Sequence, residues 1–283
     1  MSTERFDVNG VTLSVTTEGP VDGPPVLLLH GFPDTAELWR HQVPALAGAG
    51  YRVLAPDLRG FGDSSRPVDV SAYRMRTLIG DVTGLLDALE IPSAAVIGHD
   101  WGAGLAWAMG MFAPGRVSSL VALSVGHPSA RSHAGWEQSE LSWYMLWFLL
   151  PDVAETVLPR DDWAFLRQWG WREPSDGVDE QRQVDALARP GALTAALNWY
   201  RANIDPKTFG MPPDDRLPHV TCPTLGVWSD LDPFLNEAQM TESSRFVDAP
   251  WRYERVIGVD HWLPVRAPEQ VTGLLLDFLG GPR

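Results

Sequence analysis

Short, unbroken apolar runs alternate along this chain with segments whose apolar residues fall at helical spacing, and the alternation is suspended once, in the middle. Val26–Leu29 and Ala94–Ile97 are apolar throughout, as strands covered on both faces are, and Tyr51–Leu54, Val117–Leu123, Thr224–Trp228 and Arg252–Ile257 read as further short strands. Between them Leu78, Val82, Leu85, Leu86 and Leu89 mark a helix within 72–89. An Ala/Met-rich helix runs to about Phe112, and Pro268–Leu279 reads as the last. Strands alternating with helices predict an α/β fold, a mostly parallel sheet with helices on both faces. Residues 5–17 add a hairpin around Asn9-Gly10. From about 128 to 215 the pattern is helical throughout, broken at Pro151, Pro190 and Pro212. The expected organisation is a core of residues 1–127 and 216–283, interrupted by a helical cap, or lid, at 128–215.

Composition narrows the partners. A net charge of −14, with Lys207 as the only lysine and scattered arginines, argues against nucleic acid or an anionic membrane surface. The longest apolar stretch, Trp143–Leu150, is far shorter than the ~20 residues of a spanning helix. The start of the chain shows no cationic segment followed by an apolar run, and the single Cys222 cannot form an internal disulfide; both suit a cytoplasmic protein. Seven of the thirteen Trp (Trp136, Trp143, Trp147, Trp163, Trp169, Trp171 and Trp199) fall in the helical segment, which predicts an aromatic interior there.

Gly98-His99-Asp100-Trp101-Gly102 sits between a buried strand and a helix. A nucleophile in so tight a turn needs small residues two positions to either side, because its backbone is strained and neighbouring chains pass closely. Serine usually occupies the centre; aspartate changes the chemistry, since a carboxylate attacks an sp³ carbon and forms an alkyl ester. An Asp at a helix start can also serve only as a cap, but the strand before it favours the nucleophile. His261, in Val259-Asp-His-Trp262, follows the strand ending near Ile257 and is the expected base. Asp230 and Asp232 follow the strand Thr224–Trp228, and either can orient that histidine; we favour Asp232 without a decisive physical reason. The order nucleophile, acid, histidine is that of the α/β-hydrolase arrangement. Ester hydrolysis passes through an oxyanion, for which the backbone N–H groups of Phe32, in His30-Gly31-Phe32-Pro33, and of Trp101 are the expected donors. His30 and His99 fit loop roles. His41, His127, His133 and His219 show no spacing with Asp, Glu or Cys that suggests ligation, so no metal is expected.

His30–Pro33, Asp57-x-Arg-Gly-x-Gly-x-Ser64, Gly98–Gly102 and Asp260-His-Trp262 together resemble soluble epoxide hydrolases of the α/β-hydrolase superfamily, over nearly the whole chain. The resemblance implies an α/β-hydrolase fold with a helical lid, no cofactor, and two lid tyrosines that hydrogen-bond an epoxide oxygen. Tyr200, in Leu197-Asn-Trp-Tyr-Arg201, looks like one of them and Tyr144, in Ser142-Trp-Tyr-Met145, like the other. It further implies a small apolar epoxide and water as substrates, with Trp101, Trp143, Trp147 and Trp199 as binding surfaces. Haloalkane dehalogenases share the fold and the Asp-Trp pair. They usually add a second halide-binding side chain, often Asn where this chain has Phe32, although Trp143 or Trp147 could serve. Ser124-Val-Gly-His127 offers no acid for the branch that places its supporting acid there. Fluoroacetate-type dehalogenases carry Arg after the nucleophile, where Trp101 and Gly104 stand here. A non-catalytic binding protein on the same scaffold typically loses the nucleophile or base. Substrate identity and oligomeric state, a homodimer included, are open at this level.

Overall fold

Asn9 and Gly10, both at positive φ (46° and 78°), close the antiparallel pair β1 (Ser2–Val8) and β2 (Val11–Glu18). The computed structural model describes residues 1–171, 177–211 and 217–280. Six further strands follow: β3 (Pro25–Leu29), β4 (Arg52–Pro56), β5 (Ala94–His99), β6 (Val117–Leu123), β7 (Thr224–Ser229) and β8 (Trp251–Val256). They form one eight-stranded sheet in the order β1-β2-β4-β3-β5-β6-β7-β8. β2 runs antiparallel to β4, and every pairing from β4 to β8 is parallel. The apolar runs Val26–Leu29 and Ala94–Ile97 fall in β3 and β5; β5 is buried at every position, whereas β8, at the sheet edge, is mostly half-buried.

Helices α1 (Gln42–Gly48), α2 (Met75–Ala88) and α3 (Trp101–Phe112) connect the first strands. α2 buries the expected Leu78, Val82, Leu85 and Leu86, and also Asp81, which the guanidinium of Arg59 grips through Nε and Nη2 at 2.7 and 2.5 Å. The helix expected from residue 72 begins later, because Arg74 is extended and Asn203 supplies the cap from a distant helix. Its Oδ1 accepts from Met75 N (2.7 Å) while Nδ2 donates to Tyr73 O (2.8 Å). α3 lacks a polar face and is buried along most of its length, as a helix through the middle of a molecule must be.

Between β6 and β7 the described residues hold only helices: α4 (Pro128–His133), α5 (Gly135–Leu141), α6 (Trp143–Phe148), α7 (Val153–Val157), α8 (Arg160–Gly170), α9 (Val178–Leu187) and α10 (Ala192–Asn203). Pro151 separates α6 from α7, and Pro190 separates α9 from α10. The break expected at Pro212 and the boundary expected between 215 and 216 lie outside the described residues. After β7 come α11 (Glu237–Thr241), α12 (Leu263–Arg266) and α13 (Pro268–Leu279). Among the described residues no helix is long and apolar enough to cross a membrane.

Chain order reverses direction across the sheet between β3 and β5, and such a switch point leaves a crevice beyond the strands' carboxyl ends. Register aligns Leu29 with Gly98, His99 with Leu123, Leu123 with Val227 and Ser229 with Val256. The loops that leave β3, β5, β7 and β8 therefore open on the same edge.

Candidate active site

Asp100 occupies the turn between β5 and α3 at φ 52°, ψ −121°, a conformation that costs a non-glycine residue energy and persists only where its surroundings enforce it. Those surroundings are close. A Cβ on Gly98 would strike the Gly102 carbonyl, one on Gly102 the Leu29 and His30 carbonyls, and one on Gly31 the Asp100 side chain. Asp100 Oδ1 accepts the Phe32 N–H at 2.9 Å, and Oδ2 lies 3.6 Å from His261 Nε2. On the other side of the ring His261 Nδ1 stands 2.8 Å from Asp232 Oδ2. The remaining oxygen of Asp232 accepts from Phe234 N (2.9 Å) and Leu235 N (3.1 Å), which fixes the carboxylate. Asp230 turns away and accepts from Gly258 N at 2.6 Å. The two acids that follow β7 thus face different partners, which is the physical distinction that the sequence preference for Asp232 lacked.

The loop carrying His261 is pinned through its backbone. Its carbonyl accepts from His99 Nε2 (2.8 Å) and Ser124 Oγ (3.2 Å), and Ser229 Oγ donates to the Asp260 carbonyl at 2.8 Å. His30 holds the opposite loop: its Nε2 accepts from Leu58 N (3.0 Å), so Nδ1 carries the proton and donates to Gly31 O (3.0 Å). Both flanking histidines are structural anchors.

Asp100 and His261 face a narrow cavity lined also by Phe32, Pro33, Tyr144, Leu166, Trp169, Gly170, Gln183, Tyr200, Phe234 and Trp262. Tyr144 and Tyr200, from α6 and α10, sit with ring centroids 6.2 Å apart. Tyr144 also packs on Trp169 (4.7 Å), and Tyr200 stands edge-on to Trp101 at 5.0 Å and 88°.

Three comparisons with known proteins bear on this arrangement. A family model described as alpha/beta hydrolase fold matches residues 24–268. The chain belongs to that family. The hydrolase is 36% identical to epoxide hydrolase A of Mycobacterium tuberculosis, over 99% of this chain and 98% of the relative. It is 45% identical to an epoxide hydrolase of Caballeronia sordidicola, over 98% of this chain and 93% of that one. The crystal structure of epoxide hydrolase A from Mycobacterium thermoresistibile superposes with a TM-score of 0.82 at 31% identity, covering 99% and 98% of the two chains. This is an epoxide hydrolase-like α/β-hydrolase.

Electrostatics sharpen the hydrolase's site. Burial works against a charge on His261, but Asp232 and Asp100 outweigh it and raise the imidazole to about 10. Burial alone would raise Asp100; the hydrogen bond and charge of His261 overcome this and hold the carboxyl below its ordinary value. The resting pair is a carboxylate beside an imidazolium. Burial, and then the charge of Asp100, pushes Tyr144 up; burial, Tyr144 and Asp100 push Tyr200 up, so both phenols keep their protons. Burial also lowers His99 to about 3, leaving it a neutral donor to the His261 carbonyl.

The four tryptophans expected as binding surfaces lie outside the lining of this cavity. Trp143 is 46% exposed, because helical spacing puts Trp143 and Trp147 on one face of α6 and Tyr144 and Phe148 on the other. Trp147 packs on Phe148 and Phe165 outside the cavity lining. Trp199 is wholly buried and donates Nε1–H to the Arg59 carbonyl (2.9 Å). The side chain of Trp101 backs Tyr200 and does not line the cavity, although its backbone N–H lies at the elbow. Trp169, Phe234 and Gln183, to which no local motif pointed, line it instead, together with Trp262 of the Asp260-His-Trp262 stretch. Arg131 was equally unmarked. It donates to Met145 Sδ at 3.2 Å, and its charge bears on both tyrosines, opposing part of their upward shift. Among the described residues no group of His, Cys, Asp and Glu is placed to hold a metal ion.

Proposed function

We propose that this hydrolase opens a small apolar epoxide to a vicinal diol through an ester on Asp100. One observation carries the reading: two protonated tyrosines share a narrow cavity with a carboxylate whose second oxygen is free of backbone donors in the resting pair. A carboxylate and two phenols are what ring opening requires, a nucleophile for carbon and acids for oxygen. Helices α4–α10 act as the cap that brings the phenols to the core's nucleophile. Tryptophan, phenylalanine and leucine side chains elsewhere in the lining favour an apolar substituent.

Oδ2 of Asp100 attacks the epoxide carbon from behind while Tyr144 and Tyr200 hydrogen-bond the ring oxygen, one of them giving its proton as the C–O bond breaks. Esterification removes the Asp100 charge that helps keep His261 protonated. The imidazolium then returns a proton to the tyrosinate, directly or through the new hydroxyl, and becomes a base. Supported by Asp232, it takes a proton from water as the water oxygen attacks Cγ. Oδ1 receives the developing negative charge and is stabilised by the Phe32 N–H it already accepts, with the Trp101 N–H as second donor. Collapse releases the diol and restores carboxylate and imidazolium. Protons balance, and no cofactor enters.

The direct test offers purified protein styrene oxide and 1-bromobutane in parallel, with Asp100→Ala as the blank. Diol without bromide, lost in the variant, is expected. Bromide release without diol would transfer the site to haloalkane dehalogenation, in which the tyrosines have no part. The positions of Trp143 and Trp147 outside the cavity weigh against that outcome. Ligand binding without turnover of either compound would point to a non-catalytic member.

A further inference from the structure

Four buried side chains close a ring between the sheet and the helical insertion, beside the proposed base. Asp34 follows Pro33 in the loop after β3. Its Oδ1 accepts from Gln183 Nε2 on α9 (2.9 Å), and its Oδ2 accepts from Trp262 Nε1 (3.1 Å). Gln183 Oε1 in turn accepts from Trp171 Nε1 (2.7 Å). The circle is completed by Trp171 and Trp262, stacked at 4.2 Å with their planes 6° apart. Every member is less than a tenth exposed.

Donor and acceptor roles around this ring admit one arrangement. An indole N–H can only donate, so Trp171 fixes the Gln183 oxygen toward itself and the amide nitrogen toward Asp34. Trp262 donates to the other oxygen of Asp34. Both oxygens of residue 34 therefore accept, a role the ionised carboxylate fills with no O–H left to place. Burial opposes that charge and raises Asp34 to about 7; the Gln183 bond pulls it back, Asp100 raises it, and His261 and Trp262 lower it. Asp179, Arg182, Glu37 and Arg40 stand near it on the outer side, with Arg40 and Asp179 paired at 2.6 Å. A carboxylate kept buried against its own solvation marks a group retained for something other than stability.

We propose that Asp34, Gln183, Trp171 and Trp262 form a positioning unit that ties α9 to the loop carrying His261 and sustains the hydrolytic half of the reaction. The proposal rests on the ester mechanism above. Trp262 is the residue after the base, held on its N–H edge by Asp34 and on its face by Trp171. The backbone N–H of Trp262 donates to Asp260 Oδ1 (3.1 Å), whose other oxygen accepts from Arg266 Nε (3.2 Å), while the guanidinium carbon lies 4.8 Å from the Trp171 ring. Releasing the indole loosens the residue that sets where His261 points. Asp100 alkylates without His261 acting as base, so loosening acts on the second step.

A charge swap tests this. In Asp34→Asn the amide nitrogen must face one of two donors, and in Gln183→Glu two carboxylates meet. In the double variant the roles close again: Asn at 34 donates to Glu at 183, each keeps one oxygen for an indole, and the charge has moved across the ring. Each single variant should lower the rate of ester hydrolysis about tenfold, with kcat and KM falling together and kcat/KM within about twofold; the double should return to within about threefold of the parent. Alkylated protein, seen by intact mass, should accumulate in the singles alone. If the two losses add in the double variant, the ring is not a unit and the proposal is overturned. Hydrogen exchange at the Trp171 and Trp262 indoles reads the ring without substrate: slow in parent and double, fast at one or both indoles in the singles. Fast exchange at both in the parent overturns it whatever the activity. Slow exchange in a parent that forms no diol would sink the epoxide reading and leave the ring. Should a single variant be too unstable to assay, the double decides alone, by turnover and protected indoles or by the loss of both.

Discussion

Neighbouring carboxylates, imidazoles and phenols in this site take different protonation states because their partners differ, and that division is testable residue by residue. The two phenols remain donors because burial and the Asp100 charge oppose ionisation. Tyr200→Phe and Tyr144→Phe should each slow alkylation, and the double variant should lose about 10²–10⁴-fold, the range of general acid catalysis. Rapid-quench measurement of ester formation separates this from an effect on hydrolysis. His261 carries the pH dependence. Its folded-state value of about 10 exceeds the ordinary 6.5, so its contribution to stability is complete below pH 6.5 and is lost as the pH rises towards 10. Denaturant titrations at pH 6, 8 and 9.5 should show the parent weakening across that window, with His261→Gln flattening the slope. An equal slope in the variant would place the titration elsewhere.

At the scale of elements, helical phase and distant capping decide what the sequence could not show. α6 carries four aromatics in six positions, and only their rotation about the axis separates Tyr144 and Phe148, turned inward, from Trp143 and Trp147. Aromatic composition therefore pointed to this helix, but not to which of its aromatics line the cavity. Asp232 and Asp230 differ in the same manner. Both follow β7, but the loop turns Asp232 toward His261 and Asp230 toward Gly258 N. The central strands β3 and β5 were legible because unbroken apolar runs have few other uses, and the elbow because Gly98 and Gly102 bracket Asp100 where backbones touch. Asp34, Gln183 and Trp171 were not, since their partners lie far away in the chain. Asn203 belongs with them, tying α10 to the start of α2 through two hydrogen bonds. Asn203→Ala should destabilise the fold by about 1–3 kcal/mol, the consequence of leaving partly buried backbone groups unpaired, with little effect on the chemical steps. Thermal unfolding beside rapid-quench rates would check both halves, and a variant of unchanged stability would show that the cap is dispensable.

For the whole molecule, a parallel sheet sets the loops after β3, β5, β7 and β8 on one edge, and an insertion between β6 and β7 roofs them. On the mechanism proposed above, the sheet supplies nucleophile, oxyanion donor and base and the insertion supplies the phenols, so activity depends on how the two halves meet. The overall charge of −14 has no part in holding the neutral epoxide proposed as substrate. The central claim is that the diol's new oxygen comes first from Asp100 and only later from water. A single turnover in H₂¹⁸O with protein in excess, followed by mass analysis of diol and of the peptide holding Asp100, reads this directly. The account predicts unlabelled diol from the first turnover and one ¹⁸O in the Asp100 carboxylate. Label in the first diol, with Asp100 unlabelled, would mean that water attacks the epoxide itself and would contradict the ester.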